Sequence, residues 1–325
     1  MTTREKQGKT EGSVRPAWLA WTVRAVAAAG LIVVAWVFLT EWGAVTHGHP
    51  LYPVLLGLTV LGAALAMWRS WRPRAAQSGW RWAADLVLVV AAIGWVATIA
   101  WLRPFTAVEP ALAAMNSDAQ VTVTETATQI ELNPTGDVSG TAVFFQPGAR
   151  VEARAYAAIL RPLAEAGYTV VIAKQPLGIA FLAAGAFDDA RAAYPDAMRW
   201  VVGGHSLGGV VASSEADAAD SDTTAPVAGL LLYASYPAND ESTTLTAQVE
   251  SISGSRDGLC TPEMIDAAKA DLPQETNYTV IDGGVHAYFA DYGPQPGDGT
   301  PTISQDDARQ QISDATVRFV NSLTP

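Results

Sequence analysis

Gly203-Gly204-His205-Ser206-Leu207-Gly208-Gly209 follows the apolar run Trp200-Val201-Val202 and opens into Val210-Val211-Ala212. This order restricts the region to a strand, a sharp turn and a helix, with Ser206 at the turn. Within it, Gly204-x-Ser206-x-Gly208 puts small residues where a strained serine needs them if its hydroxyl is to stand clear of a sheet. A chain of this length meets the bare pattern by chance roughly one time in ten, so its surroundings have to carry the reading.

A serine nucleophile needs a base and an acid that orients the base, and one recurrent chain order is Ser, then Asp or Glu, then His. Val249-Glu250-Ser251-Ile252-Ser253-Gly254 reads as a strand running into Ser255-Arg256-Asp257-Gly258, and Tyr278-Thr279-Val280-Ile281-Asp282 as another running into Gly283-Gly284-Val285-His286. The chain has four histidines; His47 and His49 lie in a different region and His205 neighbours the serine, which leaves His286 as the base. Asp257 is the orienting acid, although an Asp before Gly258 also reads as an ordinary turn residue. Asp240 and Glu241, after the preceding strand, are its substitutes. Ser206 and His286 are both expected at a loop surface.

Residues from about 141 to 289 resemble an α/β-hydrolase, and more narrowly the membrane-anchored bacterial group classed as α/β-hydrolase family 5. The resemblance is carried by Phe144-Phe145-Gln146-Pro147-Gly148-Ala149-Arg150-Val151, the 203–209 turn, Leu231-Leu232-Tyr233-Ala234-Ser235-Tyr236-Pro237 and Gly283-Gly284-Val285-His286-Ala287-Tyr288-Phe289. The tail Tyr292-Gly293-Pro294-Gln295-Pro296-Gly297-Asp298-Gly299 is similar as well. One departure is Val285, where relatives often carry Asn. The resemblance implies an oxyanion hole made by the Leu207 N–H and a second donor after an earlier strand. Pro147 stands where many relatives have His and has no N–H, so the implied second donor is Ala149.

Short apolar strands near 142–145, 169–173, 200–203, 228–233, 249–253 and 278–282 alternate with helical stretches such as Arg154–Ala166. This predicts an α/β fold, a mostly parallel sheet with helices on both faces, spanning 119–325. Thr-rich alternation at 121–124 and 129–132 predicts a strand pair at its start. Ser213–Ala225 reads as a mobile loop or frayed helix end, and 104–118 as a partly helical linker. Only Pro237 to Gln248 separate Tyr236 from the next strand, which leaves no room for a large cap. Pro176–Tyr194, with Leu177, Ile179, Phe181, Leu182 and Phe187, is expected either to wall the pocket or to pack as an ordinary helix.

Ahead of all this, about 23–39, 51–67 and 83–102 are each long and apolar enough to cross a bilayer, and ten of the eleven tryptophans fall between Trp18 and Trp101. Residues 1–103 are therefore read as a membrane anchor with three transmembrane helices. Arg4, Lys6, Lys9, Arg15 and Arg24 lie at the start, Arg69, Arg72, Arg74 and Arg81 around the second connector, and no Lys or Arg between Glu41 and Pro50. By the positive-inside tendency the N-terminus is cytoplasmic and the catalytic domain extracytoplasmic.

Up to residue 103 the chain has 10 Lys+Arg against 4 Asp+Glu; the rest has 10 against 28, within a net charge of −12. An acidic soluble part argues against nucleic acid as a partner. Cys260 is the only cysteine, so no intrachain disulfide can form. His47 and His49 offer two metal ligands without a third, so no metal and no organic cofactor is expected. The expected activity is cleavage of a small-molecule or lipid carboxylic ester, or a thioester, by Ser206, Asp257 and His286 at the membrane. The same residues serve an acyltransferase acting on a cell-envelope acceptor, and the fold also serves non-catalytic binding modules. The sequence leaves the oligomeric state open.

Overall fold

The computed structural model describes residues 17–72, 79–183 and 185–323. The chain forms two compact units: Met1–Thr40 with Pro53–Arg103, and Glu41–Tyr52 with Pro104–Pro325.

The first unit is built from α1 (Ala17–Thr40), α3 (Leu51–Trp71) and α4 (Gly79–Trp101), while α2 (Trp42–His47) falls in the second. Among the described residues, three helical segments are long and apolar enough to cross a membrane: Trp18–Thr40, Leu51–Trp71 and Ala83–Trp101. The first and second helices outrun the expected apolar windows by several residues. Inside the first helix, the Arg24 guanidinium stacks 4.8 Å from the Trp21 ring and 3.8 Å from the Trp71 ring and donates to Ser70 Oγ at 3.1 Å, so its charge is paired. Between helices, Trp95 Nε1 donates to Thr59 Oγ1 at 2.9 Å. Arg4, Lys6, Lys9, Arg15 and Arg74 lie outside the described residues, as does the side chain of Arg81.

The second unit holds an eight-stranded sheet in the order β1-β2-β4-β3-β5-β6-β7-β8. Its strands are β1 (Val121–Glu125), β2 (Gln129–Pro134), β3 (Thr141–Gln146), β4 (Thr169–Ala173), β5 (Arg199–His205), β6 (Val227–Tyr233), β7 (Gln248–Gly254) and β8 (Asn277–Ile281). β1 and β2 pair antiparallel with each other, as expected, and β2 pairs antiparallel with β4; the remaining pairs are parallel. α5 (Ala111–Ala114) precedes the sheet, and α6 (Ala157–Glu165), α7 (Ala186–Ala193), α8 (Leu207–Ala219), α9 (Pro262–Ala268) and α10 (Gln305–Ser322) follow its start.

Strand alternation sorts neighbouring side chains onto two cores. Val143, Phe145, Val201 and Leu231 face a core shared with Ile159 and Leu163 of α6 and Ile312 and Phe319 of α10. Phe144, Val202, Leu230 and Leu232 face the other, shared with Phe187 of α7 and Ala212 and Ala216 of α8. Strands covered on both sides are apolar throughout, which is why they read as unbroken runs.

Two expectations change. The stretch 213–219 is neither loop nor frayed end: α8 continues to Ala219, with Ser213 and Ala216 buried. Its Ser and Asp content signals a loop, but Ser213 Oγ is bonded to the buried Glu241 and the helix face packs on the sheet. Residues 104–118, expected as a linker, belong to the second unit. The Phe105 N–H donates to Arg150 O at 2.7 Å, the Glu152 N–H to Phe105 O at 3.0 Å, and Ala107 and Ala111 are buried. Of the two alternatives left open for Pro176–Tyr194, Phe187 takes the packing one: it is a core residue, edge-on to Trp200 at 5.6 Å.

Candidate active site

The sheet brings the sequence-predicted residues to one edge, the carboxyl ends of β5, β7 and β8, where open α/β sheets hold their sites. Ser206 lies between β5 and α8 with φ 52° and ψ −124°, a region that costs a non-glycine residue on the order of 1–3 kcal/mol. The surroundings over-determine it. Its N–H donates to Tyr233 O at 3.0 Å, and its carbonyl accepts from Ser235 Oγ at 2.7 Å and from the Gly209 N–H at 2.9 Å. The glycines are steric requirements: a Cβ on Gly204 would stand 2.4 Å from the Gly208 carbonyl carbon, and one on Gly208 would stand 2.1 Å from Gln146 O.

Asp257 and His286 meet. His286 Nδ1 is 2.8 Å from Asp257 Oδ2, while Asp257 Oδ1 accepts the N–H groups of Leu259 at 2.8 Å and Cys260 at 2.7 Å. A buried carboxylate held by two backbone donors and an imidazole has its charge compensated. The alternatives do not reach the histidine: Asp240 accepts from Ser242, and Glu241 is paired with Ser213. The expectation of a loop-surface His286 is corrected, since the residue is 2% exposed. Its ring lies 4.6 Å from that of His205, which in turn stacks on Phe289 at 5.9 Å. Burial holds His205 well below the usual imidazole range, so it stays neutral beside His286.

Ala149, expected from the sequence as the second oxyanion donor, lies in the loop after β3. Gly148 donates its N–H to Tyr156 Oη at 2.8 Å, Arg150 to Gly178 O at 2.6 Å and Val151 to Gly148 O at 3.1 Å. Pro147 has none to give, so within 147–151 the Ala149 N–H alone makes no hydrogen bond among the described residues. Leu207 opens α8, where helix donors lack partners inside the helix.

Sequence reasoning missed the groups beneath this loop. Tyr156 Oη, having accepted the Gly148 N–H, lies 2.8 Å from His205 Nδ1. Gln175 Nε2 donates to Gln146 Oε1 and to Pro147 O, both at 2.9 Å, and Gln146 Nε2 donates to Glu215 Oε1 at 3.0 Å. No residue pattern announces contacts between side chains as far apart in the chain as Gln146 and Glu215. Outside the loop, Phe181 and Leu182 are exposed, and Ile179 and Leu177 are half-buried on the segment whose Gly178 carbonyl holds Arg150. His47 Nδ1 stands 3.9 Å from Glu125 Oε2, part of an ion cluster with Arg154 and Lys174. Burial pushes the Cys260 thiol up to about 12, so it is no competing nucleophile at neutral pH.

The sequence and the fold match a known class. The profile of the alpha/beta hydrolase family, family 5, matches residues 142–310, more than half of the chain, and the chain belongs to that family. No curated protein matches. Several solved structures are similar at low identity. A thermophilic esterase from Thermogutta terrifontis is 15% identical with a TM-score of 0.43, covering 63% of this chain and 92% of its own. A predicted CIB-like hydrolase from Thermoplasma acidophilum is 15% identical with a TM-score of 0.46, covering 64% and 100%. An α/β serine hydrolase without a lid from Xanthomonas campestris is 14% identical with a TM-score of 0.43, covering 62% and 96%.

The Glu215 carboxyl under the loop has a measurable signature. Burial pushes it up to about 7, and its Oε2 has no hydrogen-bond partner among the described residues. Between the ordinary carboxyl range and about 7, the folded chain keeps a proton that the unfolded chain has released. The associated stability is therefore full below the ordinary range and is lost as pH rises through about 7. The loss is about 3 kcal/mol. Glu152, also raised to about 7 by burial, adds a slope of the same sign. His205, held neutral by burial, contributes the opposite slope below the usual imidazole range, so thermal melts of the wild type should fall between about pH 6.5 and pH 8. Glu215→Gln, which keeps the acceptor for Gln146, should flatten that slope and melt higher than wild type at pH 8; parallel curves would contradict the assignment.

Proposed function

We propose that the chain is a membrane-anchored, extracytoplasmic serine hydrolase that cleaves a carboxylic ester or thioester. The observation that carries the reading is the 2.8 Å pairing of His286 with Asp257 at the same sheet edge as the strained Ser206. With Nδ1–H donated to the carboxylate, His286 keeps Nε2 as its basic nitrogen. Ser206 Oγ attacks the acyl carbon while His286 Nε2 takes its proton, and the N–H groups of Leu207 and Ala149 receive the negative charge on the tetrahedral oxygen. The proton then passes to the leaving alkoxide or thiolate, and water, activated by the same imidazole, releases the acid and restores the serine. Asp257 keeps the tautomer throughout without itself accepting the proton.

The substrate class follows from access and location. The segment between β6 and β7 contains no helix, so no cap domain stands there, and Phe181 and Leu182 offer exposed apolar surface beside the oxyanion loop. These features suit a small or lipid ester that reaches the site from the membrane vicinity. Orientation rests on charge and on packing. The basic residues favour a cytoplasmic N-terminus, and the connector between the first two spans belongs to the same compact unit as the catalytic fold. In that connector, Glu41 Oε2 accepts the Thr106 N–H at 3.2 Å. A connector packed on the catalytic unit shares its side of the membrane, which fits three crossings.

Two experiments test this. Ser206→Ala and His286→Ala should abolish turnover of a short-chain p-nitrophenyl ester, and Asp257→Asn should lower it about 10⁴-fold. Because His286 is buried, its variant is compared only where a cooperative melt shows it folded. Near-wild-type turnover in a folded variant would remove that residue from the mechanism. For orientation, alkaline phosphatase fused after Pro325 should be active and green fluorescent protein there dark; the opposite pattern would put the catalytic unit in the cytoplasm.

A further inference from the structure

We infer that Asp298 is a positioning residue whose single carboxylate sets the loop of the base against the loop of the acid; the inference rests on the Ser206–His286–Asp257 reading. Asp298 Oδ1 accepts the N–H groups of Gly258 at 3.2 Å, His286 at 3.1 Å and Gly299 at 2.7 Å, and Oδ2 accepts that of Ala287 at 2.8 Å. One of these donors is the backbone of the base itself, one is its neighbour, and one is the residue directly after the acid. Asp298 touches neither the imidazole nor the Asp257 carboxylate, whose other oxygen is already held by Leu259 and Cys260. Its action is therefore on where the two loops stand.

The backbone is shaped to bring this carboxylate in. A Cβ on Gly299 would lie 1.8 Å from Arg256 O, and one on Gly258 would lie 2.7 Å from the Gly299 nitrogen and 2.8 Å from the Asp298 carbonyl carbon. Two glycines thus let 297–299 press against 256–258 with no side chain between. Four backbone donors converging on one ionised acceptor form strong, directional bonds. Without them, His286 and Asp257 still meet, but the pair is free to drift relative to Ser206, which is tied to β6 and Ser235. A displacement of about 1 Å in such a constellation costs on the order of 100-fold in rate.

The test uses the full chain in detergent micelles, with Asp298→Asn as the variant, since it keeps the volume and one acceptor oxygen. Steady-state hydrolysis of a p-nitrophenyl ester should show kcat lowered about 30- to 100-fold with KM within about threefold. The rate of Ser206 labelling by a fluorophosphonate should fall in parallel, and the low-field proton resonance of His286 Nδ1–H should broaden or move. Unchanged kcat and an unchanged resonance in the folded variant overturn the inference while leaving the hydrolase reading in place. Asp298→Glu, which keeps the charge, takes the same measurements if the Asn variant gives no cooperative melt. Failure of both to fold overturns the positioning role in favour of a purely structural one. A wild-type chain that neither labels nor turns over ester overturns the hydrolase reading and this inference with it.

Discussion

Holding Ser206 at a positive φ is the constraint on which the site depends, because a relaxed backbone there would turn the hydroxyl back along the sheet. Four hydrogen bonds at that one residue, with β6, Ser235, Gly209 and Val210, offset the strain locally. The cost then propagates as a demand for small residues. Gly204 and Gly208 have no room for a side chain, and Gly209 would place a Cβ 2.4 Å from Ser235 Oγ. The same closeness seats the Gln146–Pro147 carbonyls against the start of α8, so the geometry of the turn also sets the loop that offers the Ala149 N–H.

Burial shapes the electrostatics around it. Asp257 and His286 are 4% and 2% exposed, so their pairing operates away from bulk water, where each hydrogen bond counts for more. His205 sits ring to ring with His286 and stays neutral, which would avoid a second positive charge beside His286 in its proposed role as base. Tyr156 is suited to link the two regions. Its oxygen accepts the Gly148 N–H, which leaves its own proton for His205 Nδ1, and that arrangement ties the oxyanion loop to the strand end that carries the serine.

Most of the sheet was legible because its strands are buried on both faces and read as apolar runs: Val143, Phe144 and Phe145 belong to two cores, yet form one sequence signal. The serine turn and the order of its two partners were legible for the same reason, since each lies directly after a recognisable strand. What escaped were positions where tertiary contact overrides local character. Ser213 and Asp217 suggest a loop, but they lie in a helix whose apolar face packs on the sheet. Phe105 and Ala107 look like linker beside Pro104 and Pro110, but they are bonded to Arg150 and Glu152. His286 is polar and was expected at the surface; it is buried, with the ring of His205 against its own. The reach of Asp298 back to Gly258 and His286 has no sequence periodicity at all.

Ser206 is proposed as the nucleophile of an acyl-enzyme cycle. Mass spectrometry of the intact chain and its peptides, quenched during turnover of a slowly deacylating ester, tests this most directly. The account predicts an added mass equal to the acyl group on the peptide containing Ser206, formed at a rate matching the burst of released alcohol and absent when the site is first blocked by a fluorophosphonate. Steady turnover with no acyl adduct on that peptide, or an adduct on a different residue, would contradict it.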